Sequence, residues 1–170
     1  APAARNFGTR WDQDRASFFE VTIGAGRIFA ILRALNDAAP VVELPTSRSA
    51  LFAAVPGETH LLGIRMAAAL FRHRGWDIEL VLDKSHEALM EHVAQSGHRL
   101  IGLSAAGKHS APALARLIVA LRVQNPTCFV LVSGQILSEA PELVDATMPD
   151  GMANDLDAAE AFLMEASATE

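Results

Sequence analysis

The sequence predicts an α/β fold: one sheet of five parallel strands, with helices on both faces. Two observations carry the prediction. From Ser49 onward, short apolar runs alternate with longer stretches of helical periodicity. The breaks between them fall on residues that end elements, namely Pro56-Gly57, Gly75, Gly97, Asn125-Pro126 and Ser133-Gly134. A strand followed by a helix and another strand, repeated, makes a doubly wound sheet with right-handed crossovers.

Residues 1–10 show no periodicity and are expected to fray. From Trp11 to Leu35, Phe18, Val21, Ala25, Ile28, Leu32 and Leu35 recur every three or four residues, which predicts an amphipathic helix. Asp12 and Asp14 suit its positive end and Arg33 its negative end. Such a helix needs a partner for its stripe, so residues 1–40 are expected to form a cap segment over the carboxyl ends of the strands in a domain of residues 41–170. Asn36 to Arg48, with Pro40 and Pro45, reads as a linker, and Val41–Leu44 could add a short edge strand. Strand one is Ser49–Val55, followed by a helix over His60–Arg74. Strand two is Asp77–Leu82, followed by a helix over Ser85–Gln95 with Ser85 as N-cap and Gly97 beyond its end. Strand three is Arg99–Ser104, and a helix follows over Ser110–Gln124. Strand four is Cys128–Val132. A short helix over Leu137–Asp145, a weak fifth strand at Thr147–Met152 and a helix over Asp155–Ala166 complete the chain.

The spacing fits a flavodoxin-like strand order, 2-1-3-4-5, whose switch point lies between strands one and three. Ligands of such sheets sit beyond the carboxyl ends of the strands. There the loops Gly57–Gly63, Ser104–Ser110 and Ser133–Gln135 converge, carrying His60, small hydroxyls, glycines and Lys108 beside His109. No Ser-His-Asp or Cys-His arrangement is legible, nor a phosphate-binding GxxxxGK[ST] or a glycine-rich dinucleotide turn. Strand one ends in Val55-Pro56 and strand three in Ser104, so the clustered aspartates of a phosphoacceptor receiver are missing. His60 is either a surface or capping residue or a metal ligand. In the second case its other nitrogen needs an acceptor, and Glu58 stands two residues before it.

Composition narrows the classes further. With 51% apolar and 20% charged residues, the chain is not disordered. No uninterrupted apolar run is long enough for a membrane span, and no signal peptide is visible, so cytoplasm is expected. The first residue is Ala, as in a piece of a longer protein. A single cysteine, Cys128, excludes an internal disulfide or a Cys-based zinc site. The net charge of −6 is unevenly spread: no Lys or Arg follows Arg122, whereas nine acidic residues do. Such a field disfavours nucleic acid and steers basic surfaces, or it merely solvates a helix face.

Glu58-x-His60-x-x-Gly63, then Ser104, then Ser133-Gly134 resembles the cobalamin-binding pattern Asp-x-His-x-x-Gly … Ser-x-Leu … Gly-Gly. Ahead of it, the stretch from Trp11 to Arg27 resembles the end of the helical cap in the SCHIC domains of AppA- and PpaA-like antirepressors. The resemblance implies a cobalamin-binding-like fold with His60 as the axial metal ligand. Glu58 would tune it, and Thr59, Gly63, Ser104, Ser133 and Gly134 would complete the cofactor site. Three departures stand out: Glu58 replaces Asp, Ala105-Ala106 replaces x-Leu after Ser104, and Ser133 replaces the first Gly. They bear on the slot for the nucleotide tail, and the SCHIC resemblance suggests haem in place of cobalamin; haem is therefore expected ahead of cobalamin, with His109 as reserve ligand. The resemblance further implies a non-catalytic sensory domain that binds a PpsR/CrtJ-type repressor of photosynthesis genes. The alternatives are a corrinoid carrier subunit of a methyltransferase or mutase, and a platform that binds no cofactor.

Overall fold

The computed structural model describes residues 48–168, together with helical positions Ile23, Gly24, 26–28, Ala30, Ile31 and Ala34. Two compact units divide the chain, Ala1–Val42 and Glu43–Glu170. Most of the expected Trp11–Leu35 helix and the possible Val41–Leu44 strand lie outside the described residues.

In the second unit the elements run β1 (Ser49–Ala54), α1 (Leu62–His73), β2 (Asp77–Val81), α2 (His86–Ser96), β3 (Leu100–Ser104) and α3 (Ala111–Gln124). They continue with β4 (Phe129–Ser133), α4 (Ile136–Glu139), α5 (Pro141–Asp145), β5 (Gly151–Ala153) and α6 (Leu156–Ser167). All strand pairs are parallel, in the order β2-β1-β3-β4-β5. This is the flavodoxin-like sheet that the alternation predicts.

Alternation of side chains along the strands divides the core in two. Leu51, Ala53, Ile101, Leu103, Val130 and Val132 pack under α2, α3, α4 and α5. Phe52, Leu100 and Leu131 face α1 and α6. On that second face the Phe71 ring meets the edges of Phe52 and Trp76, at centroid distances of 5.2 and 5.9 Å. A β-carbon on Gly102 would stand 2.7 Å from the Phe52 ring, so the missing side chain in β3 is what lets Phe52 lie across it.

Local chemistry sets the element ends. Ser85 caps α2 by accepting from the N–H of Ala88, and Gly97 beyond it takes the left-handed φ of 71°. Asp155 caps α6 through the N–H of Ala158. Several boundaries differ from expectation. The helix foreseen from His60 begins at Leu62, so His60 stays in the loop. A turn of 3₁₀ helix, Lys108–Ser110, precedes α3. The single helix foreseen over Leu137–Asp145 is two, α4 and α5, because Pro141 cannot continue a helix and pushes Ala140 into a non-helical conformation. The fifth strand shortens to Gly151–Ala153, since the ladder to β4 spans only Leu131 to Ser133.

Candidate functional site

β1 ends against β3, where the N–H of Val55 donates to the carbonyl of Ser104. The chain then reverses through Val55-Pro56-Gly57-Glu58, with the N–H of Glu58 returning to the carbonyl of Val55. Pro56 supplies the fixed φ of the second turn position and Gly57, at φ 85°, the positive φ of the third. That turn swings the Glu58 side chain inward, and it is 1% exposed.

Five donors converge on this carboxylate. Oε1 accepts from the N–H of Thr59 and of His60, both at 2.9 Å, and faces His60 Nδ1 at 3.1 Å. Oε2 accepts from the N–H of Ala106 at 2.8 Å and from the Ser110 hydroxyl at 2.9 Å. Burial alone would raise the carboxyl pKa. The backbone N–H groups of His60 and Ala106, the Ser110 hydroxyl and the His60 ring outweigh it and lower the pKa from 4.5 to about 2. Glu58 is therefore ionised at neutral pH and ties the loop after β1 to the loop after β3.

An ionised carboxylate only accepts, so the Nδ1 facing it carries the hydrogen and the neutral ring keeps its lone pair on Nε2. The His60 side chain is 73% exposed. A buried acceptor behind an imidazole whose far nitrogen is free is the arrangement metal-ligating histidines use. His109 is oriented the other way: its Nε2 faces Glu58 Oε2, at 3.9 Å. The geometry thus separates the two candidates and favours His60. Among the described residues, no group of three or more His, Cys, Asp or Glu side chains could hold a metal ion by itself. A single protein nitrogen fits a metal already held by a macrocycle.

The other expected site residues surround this pair. The Thr59 side chain is exposed, and Gly63 lies in the first turn of α1 with open space where a β-carbon would stand. Ser104 and Ser133 are partners in register at the ends of β3 and β4, on the side of the sheet that α1 and α6 cover. The Ser133 hydroxyl turns back to the carbonyl of Leu103, 3.5 Å away. Gly134 has φ 111°, and a β-carbon there would fall 2.1 Å from the carbonyl oxygen of Ala105. A cleft of about 360 Å³ flanks Glu58, lined by Val55, Gly57 and Thr59 of one loop and Asp83–Ser85 of the next. Two parts of the site were not foreseen, the Ser110 hydroxyl and the Ala106 N–H. Ser110 looks in sequence like a helix cap, yet its side chain caps nothing and serves Glu58 instead.

Fold and site together define an α/β domain that presents one polarised histidine beyond the carboxyl ends of its strands. The chain belongs to the B12-binding domain family, whose model matches residues 48–160. It is similar to an uncharacterized 20.5 kDa protein in the bchF-crtJ intergenic region of Rhodobacter capsulatus. The two are 29% identical over 157 residues, 91% of this chain and 82% of that one. Among solved structures it resembles the monomethylamine corrinoid protein of Methanosarcina barkeri, with TM-score 0.73 and 15% identity over 95% of this chain and 77% of that one. It also resembles a cobalamin-binding protein of Desulfitobacterium hafniense, with TM-score 0.63 and 13% identity over 96% of this chain and 77% of that one. These matches support cobalamin, which the sequence reading placed second, and give no support to haem, which it placed first. No helix among the described residues is long and apolar enough to cross a membrane.

Proposed function

We propose that this chain is a non-catalytic regulatory module that binds a corrinoid through His60 Nε2 and acts on a transcriptional repressor of the PpsR/CrtJ type. The observation that carries the corrinoid half is the Glu58–His60 pair, with Nδ1 held by a buried carboxylate and Nε2 without a hydrogen bond among the described residues. Glu58 fixes the tautomer and orientation of the imidazole; Ser110 and Ala106 fix Glu58 in turn. A bound corrinoid would supply a cobalt centre able to take His60 as a ligand. Ser104, Ser133 and Gly134 would border it from the ends of β3 and β4. Because Glu58 bridges two loops, a pull on His60 reaches the loop after β3 as well as its own.

The regulatory half is supported by the Trp11–Arg27 similarity and by the Rhodobacter relative encoded beside crtJ. A second reading, a corrinoid carrier of a methyltransferase, is favoured by the likeness to the monomethylamine corrinoid protein. It requires cobalamin binding but no repressor binding. The test is an absorption titration of the full chain with hydroxocobalamin, haemin in parallel, followed by repressor binding. Wild type and His109→Ala should shift the corrinoid spectrum, and His60→Ala should not. A shift that survives in His60→Ala, or a spectral change with haemin alone, contradicts the proposal.

A further inference from the structure

Most carboxylates of the lysine- and arginine-free C-terminal third have partners. Asp150 pairs with Arg122, Asp155 caps α6, and Asp157 and Glu160 both hold Arg74. Glu160 also accepts from Trp76 Nε1 and Glu139 from the N–H of Lys108. These contacts remove Asp155, Asp157 and Glu160 as free acids. Glu142 and Asp145 on α5 differ: both are exposed, and among the described residues neither carboxylate has a hydrogen bond or ion pair.

α3 packs beside α5, with Ile118, Leu121 and Val144 in one buried cluster. Leu114, Leu117, Ile118 and Leu121 face the core, as an amphipathic helix requires, but the solvent side carries Val119 and Val123, 63% and 77% exposed and one turn apart. Arg122 lies beside them and reaches the carbonyl of Met148 at 3.2 Å, which ties this strip to the loop after α5. Met148 is 78% exposed and has φ 50°, a conformation a bulky residue rarely adopts. Leu143 on α5 adds a further half-exposed apolar side chain. The arginines bordering the strip are already neutralised, Arg116 by Glu87 and Arg122 by Asp150. What remains is an apolar strip with negative charge at its edge that no described residue compensates.

We propose that Val119, Val123, Leu143 and Met148, with Glu142 and Asp145, form a docking surface for an amphipathic helix of a partner protein whose apolar stripe is bordered by Lys or Arg. Charge decides the occupant. A symmetric contact with a second copy would add the same free acids and no free cation, and nucleic acid is repelled. That the partner is the repressor rests on the regulatory reading above; the surface itself does not.

The probe is a dye-labelled Leu/Lys amphipathic helical peptide, titrated by fluorescence anisotropy into the full chain. Val119→Ser/Val123→Ser should weaken binding about tenfold or more. Glu142→Lys/Asp145→Lys should weaken it and flatten its salt dependence. Circular dichroism of both variants should match wild type, because all four side chains face solvent. Equal affinity in wild type and both variants, or no binding by wild type, overturns the surface. The purified repressor is then added to the peptide complex. Competition supports the assignment of this surface to that partner, and simultaneous binding of both overturns it. A repressor that binds no form of the chain, while the peptide still discriminates among variants, removes the regulatory reading and leaves the surface standing.

Discussion

Glu58→Gln isolates the charge at the centre of the site. The substitution keeps the length of the side chain but removes an ionised group held by five donors. The amide also turns a donor toward the N–H of Ala106 or of His60. With a pKa lowered from 4.5 to about 2, at roughly 1.4 kcal/mol per unit, ionised Glu58 contributes about 3 kcal/mol to folding at neutral pH. The Glu58 side chain is 1% exposed, but its partner His60 is 73% exposed, so solvent screening makes this figure an upper bound. The folded pKa lies below the unfolded one, so the contribution is complete above about pH 4.5 and is lost as pH falls toward about 2. Urea unfolding of wild type and variant should therefore differ by about 3 kcal/mol near pH 6 and by about half as much near pH 3. A difference below about 1 kcal/mol near pH 6, or one that does not change with pH, would refute the reasoning.

Two further substitutions test the frame around the site. Gly134→Ala combines a positive φ with a β-carbon 2.1 Å from the Ala105 carbonyl, so it should destabilise by about 3 kcal/mol or more, read as a fall in Tm. Gly102→Ala should cost about 1–3 kcal/mol because it meets the Phe52 ring. In Phe52→Leu the same change should cost less, and a double-mutant cycle by chemical denaturation that shows simple additivity would contradict the packing described.

The alternation of strands and helices and the place of His60 in the loop after β1 were legible because both follow from local chemistry. Pro56-Gly57, Gly75 and Gly97 mark turns by the φ values they permit, and a single imidazole stood in the switch-point loop. The pairing of Glu58 with His60 was also accessible, since two residues of spacing in a tight turn bring the side chains together. Ser110 and Ala106 were not legible. They reach Glu58 only because β1 and β3 are neighbours, and no local pattern encodes a contact across some fifty residues. The split between α4 and α5 was in principle readable from Pro141, but Leu137, Ala140 and Val144 recur at helical spacing across it and masked it. Charge counts misled in a different way. They identified an acidic third correctly, yet Arg74 arrives from α1's end to neutralise Asp157 and Glu160, which only the fold reveals. The preference for haem rested on the SCHIC resemblance and on the departures at Glu58, Ala105-Ala106 and Ser133. Ser133, the most intrusive of them, turns its hydroxyl to the Leu103 carbonyl.

In the function proposed above, His60 Nε2 is the protein ligand of a corrinoid cobalt. Electron paramagnetic resonance of the cobalt(II) form tests it directly, because the axial nitrogen splits the cobalt lines. With histidine carrying the heavy isotope of nitrogen and cobalamin of natural abundance, ligation by His60 predicts that each line becomes a doublet, and that His60→Ala abolishes the doublet. A persistent triplet in labelled wild type would mean that the cofactor's own base remains on the metal, and would contradict the account.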